Sequence, residues 1–360
     1  MDTSRNAAPE SRDRLWPLDL LRILATYGIV LLHTSPLPAA YAEALGLPWR
    51  ITIAISILFR WSVPAFFMIS GALFLSPERD VSIGKLYRRT IPRIALSFLF
   101  WSAFYAVAHC VVMGKGKWTF LNQLLRGHYH MWFLFAILGL YMLTPLLRGM
   151  TGSKRLTEYF LALGFVFVFL LPRSLAFIQL LAPPHADVIA SAQSAVAQLN
   201  PLPGACALYY FVLGHYLCAY PIGRTPRRLL MAAGALGAFM TIALTFWHSA
   251  LLGKSSSQFY DMSSMTVLFM TVGVFLLFRY ACARLCPGQR LGRALLTLSA
   301  CSFGVYLVHP FIIERLQPTL PPAPLALLFG MPGLVLGIYL LSLAVSFLLR
   351  RIPVLGRYIV

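Results

Sequence analysis

Charged residues are scarce in this sequence, and acidic residues are the scarcest. Only 11% of the 360 residues are charged, and Asp and Glu together number 11. A soluble domain carries about 25% charged residues, so this composition excludes an ordinary soluble enzyme. Nearly all of the acids fall in loops or at the ends of apolar runs, with Asp19 as the clear exception.

The sequence also lacks the spacings that build a metal or nucleotide site. It has six cysteines, and Cys282 and Cys286 lie four residues apart without partnering histidines. We therefore expect no bound metal. No phosphate-binding glycine loop, internal repeat or low-complexity tract is present. No loop is long enough to hold a separate catalytic domain, and 182–202 is the longest predicted outer segment.

Long apolar runs dominate what remains. Hydrophobic residues make up 59% of the chain, and its mean hydropathy is +0.75. Each run is close to the ~20 residues that a helix needs to cross the hydrocarbon core. The sequence therefore predicts an all-α, polytopic integral membrane protein with about ten transmembrane helices. The predicted spans are 17–34, 52–75, 92–113, 131–148, 157–172, 203–220, 229–251, 264–280, 295–314 and 323–349.

The basic residues predict the orientation of these spans. A net charge of +19 would indicate nucleic-acid binding in a soluble protein, but here the cations lie in short clusters between apolar runs. With the N-terminus inside, 22 of the 30 Lys and Arg residues are cytoplasmic. This bias follows the positive-inside rule. We expect both termini in the cytoplasm and no nucleic-acid partner.

These observations also divide the chain. We expect a cytoplasmic N-terminal tail at 1–15, a transmembrane domain at 16–350 and a cytoplasmic C-terminal tail at 351–360. The first run, followed by "AYA" at 40–42, resembles a cleaved signal peptide. Asp19 and Arg22 interrupt its apolar core, so we interpret it as a retained span.

The first predicted span carries its polar residues on one face. Arg22 and His33 are eleven residues apart, which makes three helical turns plus about 20° and a rise of about 16 Å. Asp19 lies three residues before Arg22 and is placed to pair with it. Arg22 reaching the headgroups and His33 at the outer interface is one interpretation. Two costly side chains on one stripe favour a polar cavity instead.

Histidine also suits proton abstraction near neutral pH. No acidic residue lies near His33 in the sequence, so any orienting acid has to come from another part of the chain.

Four blocks resemble signatures of the acyltransferase-3 family, multi-span enzymes that O-acylate sugars and related acceptors at the bacterial surface. "RILATYGIVLLH" matches the Arg-x10-His hallmark of that family, with Arg22 and His33 in its two positions. The segments 60–74 ("RWSVPAFFMISGALF"), 130–147 ("HMWFLFAILGLYMLTPLL") and 302–313 ("SFGVYLVHPFII") resemble its span-two, span-four and span-nine signatures. Within that family the chain resembles compact members such as the O-acetyltransferases of enterobacterial common antigen.

This resemblance implies a multi-pass protein of the bacterial inner membrane with no bound cofactor. It implies acetyl-CoA or another acyl-CoA as the donor and a carbohydrate or lipid-linked saccharide as the acceptor. His33 is then the predicted catalytic base, and Arg22 is predicted to position the donor. The predicted donor-binding cluster is Lys85, Arg88, Arg89 and Arg93. These cations bind phosphate well, although a purely topogenic role explains most such clusters.

A further group is predicted to line the cavity or bind the acceptor. Its members are Arg60, Ser70, His130, Trp132 and His309. Each has a structural alternative: an ion pair for Arg60, close helix packing for Ser70, and interfacial packing for the other three. The competing function is a transporter or flippase of lipid-linked saccharides. Such a protein usually carries buried acids in its spans, which this chain lacks apart from Asp19.

Overall fold

A computed structural model describes residues 16–35, 45–113, 117–202, 205–285, 287–316 and 326–360, and the regular structure of these residues is entirely helical. The all-α prediction is confirmed. In chain order the helices are α1 (Trp16–Thr34), α2 (Leu47–Ile57), α3 (Ser62–Phe74), α4 (Ile91–Met113), α5 (Lys117–Arg126), α6 (Trp132–Thr151), α7 (Lys154–Gly164), α8 (Leu171–Leu181), α9 (Ala186–Leu199), α10 (Cys206–Ala219), α11 (Arg224–Leu252), α12 (Met265–Ala281), α13 (Gln289–Leu316), α14 (Met331–Arg351) and α15 (Pro353–Tyr358). Short π-helical segments lead into α4, α8 and α14.

Eight helical segments of the described chain are long and apolar enough to cross a membrane. They are Trp16–Thr34, Leu47–Phe74, Ile83–Cys110, Trp132–Thr151, Lys154–Leu181, Arg224–Leu252, Gln289–Leu316 and Ala326–Arg351. Two shorter apolar helices, α10 and α12, occupy the other two predicted spans. The polytopic membrane prediction is therefore confirmed. Below, the predicted cytoplasmic end is the end at which α1 begins, and the predicted outer end is where α1 finishes.

Helix α10 is short because prolines bound it, and it is covered by its neighbours. Pro221 follows two residues after its end and prevents it from continuing. At 14 residues it rises only about 21 Å, less than the hydrocarbon thickness. Its Tyr210 and Phe211 are fully buried. Gly71 of α3 allows the close approach, because a Cβ there would lie 1.7 Å from the Phe211 carbonyl oxygen.

The predicted span at 52–75 corresponds to the apolar segment Leu47–Phe74, and this segment is bent near its middle. The helix ends at Ile57, and three tight turns carry the chain through Arg60 into α3. Pro64 supplies the reason, because it has no N–H for the Arg60 carbonyl and its ring would clash with that carbonyl in a continuous helix. The bend thus places Arg60 where the backbone leaves the helix. Its guanidinium packs over the Tyr260 ring, 4.1 Å from the ring centroid.

Helices also form in two segments that were predicted as a loop and as a tail. The segment 182–202, predicted as a loop, contains α9. The C-terminal tail at 351–360 includes α15, which docks against α4: Ser97 Oγ donates to the Tyr358 carbonyl at 2.9 Å. Trp101 Nε1 donates to the Ile359 carbonyl at 3.2 Å, and Val360 is buried. The predicted N-terminal tail, 1–15, lies outside the described residues.

Candidate active site

A polar seam runs between α1 and α13. At its predicted cytoplasmic end, Ser299 Oγ of α13 donates to Asp19 Oδ1 of α1 at 2.5 Å. The same hydroxyl accepts from Arg22 Nη1 at 3.2 Å, and Arg22 Nη1 lies 3.8 Å from Asp19 Oδ1. Asp19 is buried and the Arg22 side chain is 27% exposed. The Asp19–Arg22 pair that the i, i+3 spacing indicates is therefore present, with Ser299 bridging its two members.

The other end of the seam holds two histidines. His33 Nδ1 of α1 lies 2.7 Å from His309 Nε2 of α13. Their rings are nearly parallel, 9° apart, with centroids separated by 5.0 Å. His309 is fully buried, and its Nδ1 lies 3.0 Å from the Val305 carbonyl oxygen. Arg22 and His33 thus both face α13, as the helical period predicts.

Two more histidines complete a cluster at this end. His130 precedes α6, is 1% exposed, and lies with its ring centroid 5.7 Å from that of His309 and 6.4 Å from that of His33. His130 Nδ1 lies 3.0 Å from His128 Nδ1, and His128 Nε2 lies 2.9 Å from Glu314 Oε1. The Glu314 side chain is 48% exposed, so the cluster extends from a buried histidine pair to a carboxylate in contact with solvent.

The cluster is held by aromatic residues. Tyr105 of α4 stacks on His128 with centroids 4.1 Å apart, and Tyr129 packs edge-on against His33. Tyr306 Oη donates to the His130 carbonyl at 2.7 Å. Burial lowers the pKa of His130 well below its ordinary value, and the neighbouring histidines lower it further. His130 is therefore neutral at physiological pH. Its Nε2 is buried and has no hydrogen-bond partner among the described residues.

Arg60 reaches this end of the bundle from the bend between α2 and α3. Its guanidinium donates to Ser56 Oγ at 3.4 Å and packs on Tyr260, while its Nε is buried without a partner among the described residues. It lies within electrostatic range of the His33 ring. Asp261, bound by Arg173 at 2.9 Å, is the nearby acid that acts on Arg60.

Several predicted donor residues lie at the predicted cytoplasmic end. Lys85 pairs with Asp80 at 3.2 Å, and Arg88 and Arg89 are exposed. Arg93 Nη2 donates to the Val360 carbonyl at 3.1 Å, which ties it to the docked tail. All four lie in the first half of the segment Ile83–Cys110, which contains α4.

Ser70 does not join the histidine cluster. It forms a hydrogen bond with the hydroxyl of Tyr141. Tyr141 is also within electrostatic range of three arginines, Arg79, Arg22 and Arg93. Ser70 is therefore grouped by the fold with Arg22 at the predicted donor end. Trp132 is 45% exposed and contacts Phe67 on the outside of the cluster.

The fold also assembles residues that sequence reasoning did not select. They are Ser299, Tyr141, Tyr105, His128 and Glu314. Of these, His128 carried a signal, because it stands two residues before His130. No group of three or more His, Cys, Asp or Glu side chains within the described ranges is arranged to hold a metal ion.

Comparison with known proteins gives one match. A family model described as an acyltransferase domain matches residues 16–351, nearly the whole chain. No curated protein and no solved structure matches the chain.

Proposed function

The chain belongs to the acyltransferase-3 family and is a membrane-bound acyltransferase, and on this premise we propose a specific reaction. It transfers an acetyl group from cytoplasmic acetyl-CoA to a hydroxyl of a sugar or surface polysaccharide. The acceptor is bound at the outer side of the bacterial inner membrane. No resident cofactor takes part, because acetyl-CoA enters as a substrate.

The polar seam between α1 and α13 is the observation that carries this proposal. It has a cation at one end, where Arg22 meets Ser299, and an imidazole pair at the other, where His33 meets His309. The two ends are about 16 Å apart along α1. A donor that enters from the cytoplasm would meet the cation first, and an acceptor on the far side would meet the imidazole pair.

The chemistry at His33 is general-base catalysis. The ring nitrogen of His33 that is not bonded to His309 removes the proton of the acceptor hydroxyl as its oxygen attacks the thioester carbonyl. A C–O bond forms and a tetrahedral oxyanion develops. When the oxyanion collapses, the C–S bond breaks, and the imidazolium returns the proton to the departing CoA sulfur. The ester and free CoA are the products.

Arg60 is placed to assist at the same end. It is a buried cation that acts electrostatically on the region around His33, and its Nε has a donor to offer. Preorganised donors of this kind stabilise a developing oxyanion. We assign Arg60 to the oxyanion or to an oxygen of the acceptor, with His130 and His309 lining the cavity beside it.

The donor binds at the predicted cytoplasmic end of the seam. Arg22 is fixed in orientation by Ser299 and Asp19, and it lies with Tyr141 and Ser70 below the histidine cluster. Lys85, Arg88, Arg89 and Arg93 form the surface cluster that meets the CoA phosphates from the cytoplasm.

A proton-driven flippase would need a buried acid that gains and loses a proton during transport. Asp19 is the acid most deeply placed in the described spans, and Ser299 and Arg22 already engage it. This arrangement disfavours a proton-driven transport cycle, in which a buried acid alternates between charged and neutral forms.

Purified protein in lipid nanodiscs tests the proposed reaction. With acetyl-labelled acetyl-CoA, we expect CoA release that depends on the protein, and acetyl transfer when a saccharide acceptor is supplied. His33→Ala should abolish both signals, while His248→Gln, a buried histidine outside the cluster, should retain them. Movement of a lipid-linked saccharide across proteoliposomes without acetyl-CoA consumption would favour the flippase and overturn the proposal.

A further inference from the structure

Helix α13 is opened beside His309. Pro310 has no N–H, so the Tyr306 carbonyl lacks the partner that a regular helix would give it. One residue further along, the Tyr105 hydroxyl inserts into the helix. It donates to the Leu307 carbonyl at 2.7 Å and accepts from the Phe311 N–H at 3.2 Å. The backbone around His309 therefore has carbonyl oxygens that can accept hydrogen bonds from side chains.

The His309 ring bonds to the carbonyl one turn before it on the same helix. Its Nδ1 lies 3.0 Å from the Val305 carbonyl oxygen. A carbonyl can only accept a hydrogen bond, so Nδ1 of His309 has to carry the hydrogen. With the hydrogen on Nε2 instead, two lone pairs would face each other in a fully buried place. In the neutral ring, Nε2 of His309 therefore carries the lone pair.

The hydrogen position on His309 fixes the hydrogen position on His33. His33 Nδ1 lies 2.7 Å from His309 Nε2, and an acceptor at His309 requires a donor at His33. Nδ1 of His33 then carries the hydrogen, and Nε2 carries the lone pair. No described side chain engages that Nε2 in a hydrogen bond, so it is open to a substrate.

We propose that His309 is a positioning residue that holds neutral His33 in its Nδ1–H tautomer and presents His33 Nε2 to the acceptor hydroxyl. This inference rests on the proposed function, in which His33 is the base. His309 does not exchange a proton with the substrate. Its hydrogen bond to Val305 and its burial fix its own orientation, and the hydrogen bond between the two nearly parallel rings fixes the orientation of His33.

A histidine here replaces the carboxylate that orients the base in a Ser-His-Asp triad. The ion pairs formed by the described residues do not include His33, and the carboxylate of the cluster, Glu314, pairs with His128. When His33 accepts a proton at Nε2, its Nδ1–H continues to donate to His309, now as a charge-assisted hydrogen bond. The pair thus works through the whole cycle without an acid.

Two substitutions separate this role from packing. His309→Gln keeps a donor toward Val305 and an acceptor toward His33. Its amide N–H₂ can donate to the Val305 carbonyl, and its amide oxygen can accept from His33 Nδ1–H. Alanine removes the acceptor. We expect His309→Ala to lower kcat about 10²-fold, within the ~10²–10⁴-fold that a positioned base contributes. His309→Gln should recover most of that loss, and all variants should bind acetyl-CoA as tightly as the wild type.

The tautomer itself is measured with ¹⁵N-histidine-labelled protein in nanodiscs, using His33→Asn to assign the His33 resonances. We expect the wild type and His309→Gln to show a protonated Nδ1 and an unprotonated Nε2 on His33, and His309→Ala to lose this preference. His248→Gln should leave the His33 resonances unchanged.

The outcomes distinguish this inference from the function on which it rests. A wild-type His33 that carries its hydrogen on Nε2 overturns the inference, as does a His309→Ala variant with unchanged kcat. If the tautomer is as stated but His33→Ala keeps wild-type turnover, the catalytic proposal fails while the structural role of His309 stands.

Discussion

The Ser299 bridge gives a quantitative prediction for the donor end of the seam. Ser299→Ala removes the 2.5 Å hydrogen bond to Asp19 and the 3.2 Å hydrogen bond from Arg22, and leaves those two side chains 3.8 Å apart. A hydrogen bond to a charged group is worth about 1.5–3 kcal/mol. Water can replace the bond to the partly exposed Arg22, but not the bond to the buried Asp19. We therefore expect a loss of about 2 kcal/mol in the free energy of unfolding.

Ser302 provides the matched control. It lies on the same helix, is equally buried, and bonds only to the Leu298 carbonyl of its own helix at 3.2 Å. Replacing a serine that bonds only to a carbonyl of its own helix should cost much less than removing the Ser299 bridge, because such a bond adds little to stability. Both variants are compared by reversible unfolding in mixed detergent micelles.

The same pair of variants tests the orientation of Arg22. Without Ser299, Arg22 loses a fixed partner, so the KM for acetyl-CoA should rise several-fold while kcat changes little. If Ser299→Ala and Ser302→Ala are indistinguishable in both stability and KM, Ser299 does not organise the Asp19–Arg22 pair, and the reasoning about this end of the seam is refuted.

Three further predictions concern topology, donor binding and pH. Reporter fusions at Ala39 and Thr151 should report outside and inside respectively, and the reverse result would contradict the proposed direction of transfer. Arg88→Ala with Arg93→Ala should raise the KM for acetyl-CoA more than that for the acceptor, and an unchanged donor KM would leave these arginines a topogenic role. Because burial lowers the pKa of His130, the unfolded chain binds a proton there more readily than the folded protein. Stability should therefore fall as the pH decreases from about 7 to about 5, and His130→Asn should weaken this dependence in thermal unfolding, whereas an identical slope would contradict a neutral buried His130.

The helical periods of the sequence predicted most of the membrane architecture and the stripe that joins Arg22 to His33. The length of an apolar run and the 100° helical repeat can be read from the sequence without knowing how the helices pack, and these two quantities determine the spans and the stripe. The bend at Arg60 was also readable, because Pro64 cannot continue a helix through that carbonyl. Helix α9 was missed because its composition is too polar for a span, although no proline lies between Ala186 and Leu199.

The partners of His33 were beyond sequence reasoning. His309 is 276 residues away along the chain, and only the packing of α1 against α13 brings the two rings together. The residues around His33 in the sequence point to an acid from elsewhere in the chain as its partner, and no local pattern marks a second histidine for that role. The Tyr105 hydroxyl that enters α13 likewise comes from a distant helix, and nothing in the local sequence marks it.

The role of His33 as the base for acyl transfer can be tested by comparing the wild-type protein with His33→Ala. Pre-steady-state acetyl transfer and acetyl-CoA affinity are measured on wild-type and His33→Ala protein in nanodiscs, with folding verified by an unchanged unfolding midpoint. We expect a kcat lowered by ~10²–10⁴-fold with nearly unchanged donor affinity. Wild-type turnover in His33→Ala, or a loss that lies wholly in acetyl-CoA binding, would contradict it.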